Sequence, residues 1–128
     1  MHTGSFGSLM MRLLVIDDEP RIGLTLQLLL DEHDVSVATS GEEAREQIET
    51  DTFDAVLCDL MLDDVDGAEL AAWIGERRPE LDGRVIMMTG GAQTPEGRAA
   101  MRALPPERKL DKPFTAAQIR HALECISA

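Results

Sequence analysis

Aromatic side chains are nearly missing from this chain: three Phe, one Trp and no Tyr in 128 residues. A core must therefore come from Leu, Ile, Val, Ala and Met. Only two cysteines occur, Cys58 and Cys125, with no C-x-x-C pair. That excludes a disulfide framework and a cysteine zinc site, and makes reduced thiols in a cytoplasmic protein the expectation. No apolar run approaches the length that spans a bilayer. The opening "MHTGSFGSLM" has neither the basic start nor the apolar stretch of a signal peptide. Residues 1–10 are expected to be a disordered leader or cloning remnant, and 11–128 one domain. Positive charge is also short. A net charge of −12 disfavours nucleic acid and anionic membrane as direct partners. Residues 1–90 hold 20 acidic and 6 basic side chains, and residues 91–128 hold 4 and 6. The split reads as two solvated faces of different sign, with a docking surface for an acidic partner as the alternative.

What is present is an alternation of strand and helix signals. Short apolar runs predict strands β1 at 11–17, β3 at 53–59, β4 at 84–91 and β5 at 108–114. "DVSVAT", 34–39, alternates Val35 and Val37 with polar residues and predicts a half-buried β2. Between them lie helix signals. Pro20 opens α1 (20–32), with Ile22, Leu26, Leu29 and Leu30 at helical spacing. Ser40 and Glu43 make a capping box for α2 (40–51), and Pro79 closes α3 (66–80), whose Leu70, Trp73 and Ile74 share a face. Thr94 and Pro95 start α4 (94–104), and a Thr115/Gln118 box starts α5 (115–128), striped by Ile119, Ala122, Leu123 and Ile126. The pattern is an α/β (βα)5 fold: a five-stranded parallel sheet, helices on both faces, with the flavodoxin-like order 2-1-3-4-5 expected. Ligands of such sheets bind beyond the carboxyl ends of the strands, at the β1/β3 switch point.

Those ends collect acids. β1 delivers Asp17, Asp18 and Glu19, β3 delivers Asp59, β4 delivers Thr89, Gly90 and Gly91, and β5 delivers Lys112 and Pro113. Three neighbouring carboxylates cannot all stay ionised without a cation among them. Oxygen-only ligands suit a hard divalent ion such as Mg²⁺, which takes one or two carboxylates plus phosphate oxygens. A carboxylate beside a metal, a lysine and a hydroxyl is arranged as a phosphoryl acceptor. Backbone amides after Asp59 (Leu60, Met61) and after Thr89 (Gly90) are candidate donors to the phosphoryl group. Asp66 is expected to cap α3, Glu19 to be solvated, and Asp63 and Asp64 to be loop acids. "LDDVDG" fails as a calcium loop, because Leu62 and Trp73 would fall at ligand positions.

"IDD" after β1, "LCDLMLDDVDG" around Asp59, "MMTG" after β4 and "DKPF" after β5 together resemble the receiver domain of two-component response regulators. The resemblance covers nearly all of the chain after residue 10. It implies that Asp59 accepts a phosphoryl group from a histidine kinase or histidine phosphotransfer domain. It also implies that Asp17, Asp18, Asp59 and the Met61 carbonyl hold Mg²⁺ or Mn²⁺, and that Lys112 and Thr89 contact the phosphoryl group. Thr89 would then move inward and switch the α4–β5–α5 face, through which a homodimer is an expectation. Such a domain catalyses its own phosphorylation and dephosphorylation and is not a turnover enzyme. The chain departs from the family in three places. Asp63 replaces a common proline, two glycines follow Thr89 and are expected to loosen the β4–α4 loop, and Lys109 stands where an aromatic ring is usual. The stretch 89–114 is similar to receivers joined to hybrid kinases, which implies a kinase module in cis.

Three readings rival this one. A pseudo-receiver would use the fold purely for protein binding. A haloacid-dehalogenase-type phosphatase would need its nucleophile in a DxDx[TV] motif after β1, where "DDEP" lacks that spacing. A flavodoxin would need Ser, Thr and Gly in that loop. Elsewhere the expectations are structural: Cys58, Met87 and Met88 as core, His121 at the surface, and His33 as a partial cation near the negative end of α1.

Overall fold

The computed structural model describes residues 10–90 and 94–127, Ser127 by its backbone alone. All but the last residue of the expected leader, and the Gly91 expected to loosen its loop, lie outside the described residues. Five strands and five helices alternate: β1 Arg12–Ile16, α1 Pro20–Leu29, β2 Asp34–Ala38, α2 Gly41–Thr50, β3 Ala55–Asp59, α3 Gly67–Arg77, β4 Val85–Thr89, α4 Pro95–Arg102, β5 Lys109–Asp111 and α5 Ala116–Ser127. The strands pair in parallel in the order β2-β1-β3-β4-β5.

Alternation along each strand divides the core in two. Leu13, Val15, Ala55, Leu57, Ile86 and Met88 pack with Leu26 of α1 and Ile119, Ala122 and Leu123 of α5. Leu14, Ile16, Val56, Cys58, Val85 and Met87 pack with Ala44 and Ile48 of α2, Leu70 and Ile74 of α3, and Met101 of α4. Both faces of β3 and β4 are buried throughout, which is why these strands read as unbroken apolar runs. β2, at an edge, is half-exposed.

The helix starts follow the sequence signals. Ser40 Oγ accepts from Glu43 N–H, Asp66 from Ala68 N–H, and Thr94 from Gly97 N–H. In the Thr115/Gln118 box both bonds form, at 3.1 and 2.7 Å. In the Ser40/Glu43 box the return bond differs, because the Glu43 carboxylate takes the N–H of Thr39. One helix-face expectation is corrected: Leu29 points outward and is 40% exposed, and Leu30 closes the helix from a buried position. Trp73 packs with Leu70 and Ile74 as expected; it is half-buried, with the Arg45 guanidinium over its ring. His33 Nδ1 accepts the Met11 N–H at 3.0 Å, which fastens the start of β1 to the turn after α1. Cys58 is a buried core thiol that burial pushes up, and His121 is exposed.

Candidate functional site

The strand register sets the site. Ile16 pairs with Cys58, so Asp17 follows level with Asp59. Asp59 pairs with Met88, and Thr89 pairs with Asp111, so Lys112 comes next. Three bonds carry the ladder past the strand ends: Asp17 N–H to Ala38 O at 3.1 Å, Leu60 N–H to Met88 O at 2.8 Å, and Lys112 N–H to Thr89 O at 2.7 Å. Four separate segments thus end at one edge.

There, Asp17 is 1% exposed and Asp59 6% exposed. Asp17 Oδ1 accepts the Glu19 N–H at 2.9 Å, and its Oδ2 accepts from Lys112 Nζ at 2.7 Å. The same ammonium is 3.5 Å from Asp59 Oδ2. Asp59 Oδ1 accepts the Met61 N–H at 3.2 Å. Asp17, Asp18 and Asp59 each offer a carboxylate oxygen within 4.8 Å of the others. The Lys112–Pro113 peptide is cis.

The loop after β3 folds back on that strand. The Gly67 N–H donates to Leu60 O, and Met61 bridges to Asp66. A Cβ on residue 67 would lie 2.2 Å from the Asp59 carbonyl oxygen. Glycine is therefore required there by close approach rather than by its dihedral angles.

The charges are unbalanced. Burial, and then the neighbouring Asp17 and Asp18 charges, hold the Asp59 carboxyl above the usual aspartate range, against the opposing pull of the Met61 N–H and Lys112. Asp18 is raised by burial and by the like charges of Asp63 and Asp17. Burial alone disfavours the Lys112 ammonium, yet its bond to Asp17 and the nearby Asp59 outweigh this and raise its pKa. Among the described residues, one ammonium lies against two of the three clustered carboxylates, all of them hard oxygen donors. This is the donor set and the charge deficit that a divalent cation fits.

Asp17, Asp18, Asp59 and Lys112 therefore come together as the sequence led one to expect. Thr89 is buried at the end of β4, and a Cβ on the adjacent Gly90 would lie 3.3 Å from Lys112 Cδ. The Met61 amide stands beside the Asp59 carboxylate. Leu60 is different: its N–H donates to Met88 O at 2.8 Å and belongs to the sheet ladder, not to a phosphoryl cradle. Two loop acids have roles that the sequence reading did not find. The Asp63 N–H donates to Asp18 Oδ2 at 3.1 Å. The Asp64 carboxylate accepts from the N–H groups of Gly41 and Glu42, at 2.9 and 3.1 Å, which hold it below the usual range. The one available signal was an acid facing a helix start that is distant in sequence, and a single chain gives no pairing information for it.

The model of the response regulator receiver domain family matches residues 13–124. The chain is 36% identical over 80 residues to the alkaline phosphatase synthesis transcriptional regulatory protein PhoP of Bacillus subtilis, a match covering 61% of this chain and 32% of that protein. It thus matches about a third of that relative's length. A CheY-like response regulator receiver domain protein from Methanospirillum hungatei superposes with a TM-score of 0.77 at 25% identity, covering 93% of this chain and 98% of the other. A response regulator protein from Burkholderia pseudomallei, solved with a phosphorylated aspartic acid, calcium ion and citrate, superposes with a TM-score of 0.73 at 25% identity, covering 88% and 65%.

Proposed function

The chain belongs to the response regulator receiver domain family, and we propose that it carries a phosphoryl group on Asp59 as a cytoplasmic relay between a histidine kinase, or a histidine phosphotransfer domain, and an output. The observation that carries this reading is the convergence of three carboxylates within 4.8 Å around a lysine shared between two of them. In the transfer, an Asp59 carboxylate oxygen attacks phosphorus as the P–N bond of the donor phosphohistidine breaks. The imidazole nitrogen keeps the bonding pair, and an acyl phosphate remains. The Lys112 ammonium, already between Asp17 and Asp59, pairs with the added phosphoryl charge. Thr89 and the amides of Met61 and Gly90 take further phosphoryl oxygens. A divalent ion, Mg²⁺ or Mn²⁺, held by Asp17, Asp18, Asp59 and the Met61 carbonyl, would supply charge neutralisation between acceptor and phosphoryl oxygens. Nothing is turned over except the domain's own phosphorylated state.

A protein donor must reach over this edge. Beside it lies a groove of about 320 Å³ lined by Ile22, Leu26, Leu29, Lys112, Pro113 and Phe114. Leu24 and Leu28 on the same helix are 59% and 79% exposed. Lys112 belongs to both groove and pocket, which supports donor docking on α1. Among the described residues no helix is long and apolar enough to cross a membrane.

Incubation with acetyl phosphate and Mg²⁺ tests the acceptor. Intact mass spectrometry should show one added phosphoryl group on the wild type and none on Asp59→Asn. Labelling of the variant at the wild-type level would reject Asp59.

A further inference from the structure

The transfer chemistry leaves Asp63 and Asp64 without a part. Both are nonetheless engaged. Asp64 is fixed to the first two N–H groups of α2, where charge-assisted bonds and the helix dipole act together. Val65 packs so closely on the same helix end that a Cβ on Gly41 would lie 2.3 Å from Val65 Cγ1. The loop is thus anchored immediately after Asp63. From that position the Asp63 N–H reaches Asp18 Oδ2 at 3.1 Å. That bond brings the charged Asp63 residue against the acid cluster. A proline at this position would have no N–H to give.

We propose that Asp63 is a positioning residue for the divalent-cation site: its N–H orients the Asp18 carboxylate, and its own carboxylate adds negative charge beside the ion. This rests on the cation reading above. Outer partners that orient a ligating carboxylate matter for affinity, and removing one typically costs about 10- to 100-fold. The charge contribution is the more exposed of the two, and salt screens it.

Calorimetric titration of the full chain with Mg²⁺ separates the two contributions. Asp63→Asn and Asp63→Ala keep the N–H and lose the charge. Their affinity should fall several-fold at low salt, and the deficit should shrink as salt rises. Asp63→Pro loses both, and should bind about tenfold more weakly than Asp63→Ala. Circular dichroism checks that each variant folds, and the Asn and Ala variants keep the charge arm decisive if the Pro variant does not. Equal affinities of Asp63→Pro and Asp63→Ala would overturn the role of the N–H. Wild-type affinity in Asp63→Asn at low salt would overturn the role of the charge. In both cases Asp18→Asn should still bind Mg²⁺ weakly. Failure of the cation reading looks different: the wild type would not bind, or Asp18→Asn would bind as well as it does.

Discussion

Asp59 closes a strand that is buried from end to end, so it keeps its charge at a cost. Its presence was legible because an apolar run that stops on an acid, opposite another acid doublet, has few structural uses. What the sequence did not reveal is what meets it among the described residues: one N–H from Met61, and a lysine whose shorter bond goes to Asp17. A folded-state pKa raised above the usual aspartate value of 3.8 means that ionisation is less favourable in the folded than in the unfolded chain. The stabilising contribution is therefore full below the unfolded value and is lost as pH rises through the folded one. Asparagine does not titrate. In metal-free buffer, Asp59→Asn should be more stable than the wild type at pH 7, by on the order of 1 kcal/mol. The gap should close as pH falls to about 4 and below. Urea denaturation across this range measures it. A wild type that is the more stable protein at pH 7, or a gap unchanged in acid, would sink the account.

Strand and helix boundaries were the most readable level, because apolar runs and caps are local. Contacts between elements were not, and Lys109 shows why. Its position lacks the ring usual in the family, but no local pattern says where a lysine on a three-residue strand will reach. Its Nζ donates to the Met101 carbonyl at 2.9 Å, in the last turn of α4, at the negative end of the helix dipole. On the opposite layer Arg120 does similar work, bonding Leu29 O and both Glu32 oxygens, and this pair lowers the Glu32 carboxyl to about 2. α1 has Leu26 and Leu30 in the core besides this tie, whereas α4 buries only Gly97 and Met101. The Lys109 bond is consequently a larger share of what holds α4. Lys109→Met keeps the length and removes the donor. It should lower the local opening free energy of α4 by about 1 kcal/mol, seen as roughly fivefold faster amide exchange at residues 98–104. Exchange in β1 and β3 should be unchanged. Equal acceleration throughout would mean global destabilisation, and no acceleration in α4 would mean that the bond does not hold the helix.

The proposed transfer needs one surface of the (βα)5 domain for its donor, and the strand pattern cannot say which. The segment "LTLQLLL", 24–30, holds five leucines in seven positions, so any helical stripe drawn through it finds leucine. Packing decides. Leu26 and Leu30 go to the sheet, while Leu24, Leu28 and Leu29 stay outside, and Leu29 lines the groove that Lys112 shares. Exposed apolar side chains grouped on one helix are more economically explained by a partner than by the fold. Leu28 makes the sharper test, since at 79% exposure its replacement leaves the core untouched, and surface changes of this kind usually move stability by less than about 0.5 kcal/mol. Burying one leucine is worth about 1.5–3 kcal/mol, and each 1.4 kcal/mol is about a factor of ten in affinity. Leu28→Glu should therefore slow phosphoryl transfer from a phosphohistidine protein by about tenfold or more at subsaturating donor. Labelling by acetyl phosphate, which needs the pocket but no docking surface, should be unaffected. Equal losses with both donors would place the defect in the pocket, and an unchanged rate with the protein donor would show that the donor docks elsewhere.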